Sequence, residues 1–127
     1  MAARMSAEMP VHDRQSAFDF LFGRINYERT SLVPYSTGEF KLDRIRRLLA
    51  ALGDPHKKFP AIHIAGTKGK GSTAAMMASI LQVAGYRVGL YTSPHLNSLE
   101  ERFVVNGQLC SEQEFVSLVQ RIKGPFT

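Results

Sequence analysis

The chain has one cysteine, no long apolar run and no excess of acidic residues, and each shortage closes off a class of protein. A single thiol, Cys110, excludes an internal disulfide and fits a reducing, cytoplasmic setting. No stretch approaches the roughly 18 apolar residues that a membrane span needs. Residues 1–15 mix Arg4 and Arg14 with Glu8 and Asp13 and lack an apolar core, so they read as a flexible tail and not as a secretory signal. Sixteen Lys and Arg against 11 Asp and Glu give a formal net charge of +5. Much of the excess lies between Lys41 and Lys58, where no alternation with aromatic residues suits single-stranded nucleic acid. Those charges read as the wet face of a helix, with neither nucleic acid nor membrane as a partner.

What is present is ordinary for a globular domain: 127 residues, 44% hydrophobic and 21% charged. Residues 16–26 space Phe18, Leu21, Phe22 and Ile25 as one face of a helix. The stretch 39–52 repeats that pattern and is stopped by Gly53 and Pro55. The run 61–65 reads as a buried strand, Lys70 to Ala84 as a helix closed by Gly85, and 87–92 as a second strand. A strand–helix–strand unit of this length predicts parallel pairing with a right-handed crossover. Phe103-Val104-Val105 before Asn106-Gly107 predicts a small hairpin, and Ser111-x-x-Glu114 a capped final helix. The predicted class is α/β: a phosphate-loop domain with a parallel sheet and flanking helices.

The chemistry concentrates in Gly66-Thr67-Lys68-Gly69-Lys70-Gly71-Ser72. Strand, glycine loop and helix form the layout that grips a nucleoside triphosphate. Glycines let consecutive N–H groups turn toward phosphate oxygens, and a helix start adds partial positive charge. Lys70 is placed to reach the outer phosphates, and Ser72 to give a hydroxyl to magnesium. The general pattern wants glycine where Ile64 stands and a hydroxyl directly after the lysine, where Gly71 stands. His63, inside the strand, reads as structural.

With those motifs in view, residues 16–123 resemble the folylpolyglutamate synthase / dihydrofolate synthase family of Mur-type ligases. The carriers are Leu52-Gly53-Asp54-Pro55, the run from Ile62 to Thr73, the run Ala84 to Leu96 with Thr92-Ser93-Pro94-His95-Leu96, and Glu101-Arg102-Phe103 leading to Asn106-Gly107. A glycine between the lysine and the hydroxyl is usual in this family, and Lys68 stands where it usually has asparagine. The resemblance implies an ATP-dependent ligase that adds L-glutamate to folate (tetrahydrofolate) or dihydropteroate through an acyl phosphate, with ATP and Mg2+ as cofactors. It implies ATP contacts from Gly66 through Ser72 and a catalytic role for Lys70. Metal contacts would come from Ser93 and Ser72, and substrate contacts from Pro94 and His95. Residues 16–127 would be the amino-terminal part of an incomplete Mur-ligase-like ATPase domain, with the carboxyl-terminal part of the same enzyme missing. Such a piece is expected to bind ATP without ligating glutamate. A small phosphate-loop kinase and a non-enzymatic nucleotide-binding module stay open as other readings.

Overall fold

The computed structural model describes residues 10–23 and 42–126. They divide into two compact units: the described residues up to Pro60 together with those from Phe115 onward, and Ala61–Glu114.

In the first unit, helix α1 (Arg14–Phe22) starts two residues ahead of the sequence reading because Asp13 caps it. The Asp13 carboxylate accepts from the Ser16 N–H at 2.8 Å, and the Asp13 N–H donates back to the Ser16 hydroxyl at 3.1 Å. This reciprocal capping satisfies two amides at the helix start. Arg14 and Gln15, read as tail, therefore belong to the helix. Val11, Ala17, Phe20, Phe115 and Val119 form this unit's buried apolar set. The Gln120 amide donates to the Val11 carbonyl at 2.7 Å. Helix α2 (Leu42–Ala51) ends at Gly53, whose φ of +78° suits glycine. The end of the first predicted helix and the stretch 27–38 lie outside the described residues.

The second unit holds the candidate site. Helix α3 (Lys70–Val83) is followed by Gly85 at φ +92°, then by strands β1 (Gly89–Tyr91), β2 (Phe103–Val105) and β3 (Gln108–Leu109). Their order is β1-β2-β3 and both pairings are antiparallel, with Leu90 opposite Val104 and Val105 opposite Gln108. Asn106 and Gly107 both have positive φ, +49° and +75°, which gives the mirror-image two-residue turn that matches strand twist. Helix α4 (Glu112–Lys123) opens on the predicted capping pair: Ser111 N–H and hydroxyl both donate to Glu114 Oε2, at 2.8 and 2.9 Å.

The predicted parallel sheet is absent among the described residues. Residues 61–65 form no strand, and Ile62 is 63% exposed. A parallel strand is held by neighbours on its edges and helices on its faces, and 61–65 have no strand beside them here. β1 pairs instead with the hairpin strand that follows it. No helix among the described residues is long and apolar enough to cross a membrane.

Candidate functional site

The glycine loop leads straight into α3, and its backbone explains its composition. Gly69 is the residue before the helix, at φ +74° and ψ +5°, a left-handed conformation that an L side chain resists. Gly66 stands at φ +158°, and a Cβ there would come within 3.8 Å of Lys70 Cγ. At Gly69 and Gly71 a Cβ would meet nothing within 4 Å, so the space over both positions is open. The first amide to bond back along α3 is that of Thr73, to the Gly69 carbonyl at 3.0 Å. The amides of Lys70, Gly71 and Ser72 precede it, as the leading amides of a helix do. The Thr73 hydroxyl also donates to the Gly69 carbonyl, at 2.8 Å, which closes the corner.

Lys70 turns back over this loop. Its Nζ donates to the Thr67 carbonyl at 3.5 Å, so an ammonium lies against the backbone that precedes its own helix. Residues 66–72 are all exposed. Leading amides, one ammonium and glycine-cleared space make a concentration of positive charge suited to an oxyanion. Ser72 and Ser93 are exposed, and neither side chain makes a hydrogen bond among the described residues.

Ser93, Pro94 and His95 follow β1 by way of Thr92, and the Ser93-Pro94 peptide is cis. The loop after them is organised by two residues to which the sequence reading gave no role. Glu101 accepts the amides of Leu96 at 3.0 Å, Asn97 at 2.9 Å and Ser98 at 2.9 Å. Those backbone bonds, from Leu96 first, hold its carboxyl below the usual carboxylate range. Arg102, only 5% exposed, donates from Nε to His95 Nδ1 at 2.8 Å. The signal for Glu101 was available: Ser98-x-x-Glu101 is a capping box, and the structure closes it at the start of the 3-10 turn Leu99–Arg102. Burial of Arg102 had no comparable sequence signal.

The Cys110 thiol is pushed up from its usual range by burial first, then by the Glu114 and Glu100 carboxylates, which fits a structural cysteine. Among the described residues no three His, Cys, Asp or Glu side chains gather as a metal cluster.

No family model matches the chain. Over 82 residues it is 50% identical to the dihydrofolate synthase/folylpolyglutamate synthase of Bacillus subtilis, a match covering 65% of this chain and 19% of that protein. The structure aligns with folylpolyglutamate synthetase from Lactobacillus casei at a TM-score of 0.76 and 28% identity, over 91% of this chain and 26% of the other. A solved FPGS–AMPPCP–folate complex aligns at 0.75, again with 28% identity, 91% of this chain and 26% of that one. The chain thus spans about a fifth of the curated relative's length and about a quarter of each solved structure's. Its curated homologues and its solved structural neighbours are folylpolyglutamate and dihydrofolate synthases, the family that its loop and its Thr-Ser-Pro-His-Leu segment resemble.

Proposed function

We propose that this chain carries the phosphate-binding part of an ATP-dependent ligase that joins L-glutamate to folate or dihydropteroate. The observation that carries the reading is the posture of Lys70: its ammonium lies 3.5 Å from the Thr67 carbonyl, over a loop shaped by Gly66 and Gly69 at positive φ. Two kinds of relative support the ligand classes. The homologue from Bacillus subtilis is named a dihydrofolate synthase/folylpolyglutamate synthase, and one solved neighbour is a complex with AMPPCP, a nucleotide of the ATP type, and folate.

A carboxylate is a poor electrophile at neutral pH, and a phosphoryl group from ATP converts its oxygen into a leaving group. Every residue proposed here serves that transfer by placement and charge. The amides from Thr67 to Ser72 receive phosphate oxygens, and Lys70 leaves the Thr67 carbonyl to neutralise the outer phosphates. Lys68, exposed on the same loop, adds a second ammonium. Ser72 and Ser93 offer neutral oxygens, which suit magnesium when phosphates and water supply the rest of its shell. Pro94 and His95 contact the pterin-bearing substrate. Ligation also requires what the remaining length of the relatives contributes, so the chain by itself binds nucleotide without turnover.

Titration calorimetry of the chain with magnesium-ATP, beside Lys70→Ala, tests this. Heat of binding with the wild-type chain and its loss in the variant are expected. Equal heats, or none with either protein, would overturn the phosphate-loop reading.

A further inference from the structure

Arg102 touches the chain on both sides of the Ser93-Pro94 peptide. Its carbonyl accepts the Thr92 amide at 3.3 Å, and its Nε donates to His95 Nδ1 at 2.8 Å. Glu101, next to it, takes the three amides that follow His95. One turn of 3-10 helix, Leu99–Arg102, therefore fixes the backbone before and after His95 and also its ring.

The bond to the ring has a chemical consequence. A guanidinium N–H can only donate, so Nδ1 must present a lone pair to Arg102. In the neutral imidazole the proton then resides on Nε2. The ring is half-buried and makes no other hydrogen bond among the described residues, which leaves Nε2–H for a ligand. Burial of a guanidinium at 5% exposure is costly unless its donors are used, so the bond to His95 belongs to a satisfied arrangement and not to a wandering surface side chain.

We infer that Arg102 is a positioning residue for His95, holding the ring as its Nε2–H tautomer so that His95 meets its ligand as a hydrogen-bond donor and not as a base. The complementary ligand atom is an acceptor, a carbonyl oxygen or an unprotonated ring nitrogen of the kind a pterin carries. This deepens the substrate role given to His95 above and rests on it for the ligand, while the tautomer itself rests only on the geometry.

Nitrogen-15 spectra of the labelled, unliganded chain, at a pH where the ring is neutral, read the tautomer directly. Expected for the wild-type chain are a protonated Nε2, an accepting Nδ1 and a contact from Arg102 Nε–H to the ring. In Arg102→Leu the contact disappears and the Nδ1–H form becomes populated. Arg102→Met keeps the length of the side chain without any N–H donor and gives the same result if the leucine variant does not fold. A wild-type ring protonated on Nδ1 would overturn the inference, as would an unchanged single tautomer in a folded variant. Added pteroate is expected to move the His95 Nε2 signal. A signal that stays put sinks the donor role while leaving nucleotide binding, measured with Lys70→Ala, untouched.

Discussion

Asn106 and Val88 hold each other through two hydrogen bonds. The Asn106 amide donates to the Val88 carbonyl at 2.9 Å, and the Val88 amide donates to Asn106 Oδ1 at 2.8 Å. The side chain thereby replaces the backbone partner that β2 can no longer supply once it turns, and extends the β1–β2 pairing by one position. Asparagine serves here twice, since it also accepts the φ of +49° that the turn demands.

Asn106→Gly keeps the turn and loses only the side-chain bond, so a loss of about 0.5–1.5 kcal/mol is expected. Asn106→Ala loses the bond and also forces an L-alanine into left-handed backbone, for about 1–2 kcal/mol more. Urea midpoints of the two variants check the order, glycine milder than alanine.

Removing the Lys70 ammonium leaves folding nearly unchanged, because the side chain is exposed and its partner carbonyl returns to water. Its loss should fall on nucleotide affinity. A charge-assisted bond is worth about 1.5–3 kcal/mol, or roughly ten- to a hundredfold in Kd. Calorimetry with magnesium-ATP measures the affinity and a thermal melt the stability. A large drop in melting temperature would contradict the assignment of this residue to ligand binding.

Glu101 predicts a pH response of the loop after His95. Its carboxyl is held down by three backbone amides, so the folded chain binds its proton less readily than the unfolded chain does. The contribution is therefore fully present above the ordinary carboxylate range and is lost as pH falls through the lowered folded value. Amides of Leu96, Asn97 and Ser98 are expected to lose protection from hydrogen exchange in that acid window. Glu101→Gln should show the loss already at neutral pH. Protection that is indifferent to both changes would contradict the role.

Much of the second unit was legible because its cues are local. Asn106-Gly107 specifies a turn by backbone preference alone, Ser111 and Glu114 satisfy each other within one turn, and Gly69 sits where left-handed backbone is needed. The run 61–65 was misread for the opposite reason. Its apolar composition describes an environment, and whether it pairs depends on strands brought from elsewhere. For the site, the glycines that the sequence marks include Gly66 and Gly69, and both take positive φ. The clasp of Arg102 on His95 spans seven positions and depends on how the 3-10 turn folds back, which periodicity does not report.

The left-handed posture of Gly69 reaches into stereochemistry. Its angles, φ +74° and ψ +5°, are the mirror image of a conformation that ordinary L residues adopt freely, and an L-configured methyl would meet nothing within 4 Å, so its cost is one of backbone conformation alone. L-alanine at 69 should therefore destabilise the corner by about 1–2 kcal/mol. D-alanine, introduced by chemical ligation, should be accepted and should even favour the folded chain by about 0.4–1 kcal/mol through a stiffer unfolded state. Two enantiomers of one small residue would then move the denaturation midpoint in opposite directions, with handedness the sole variable.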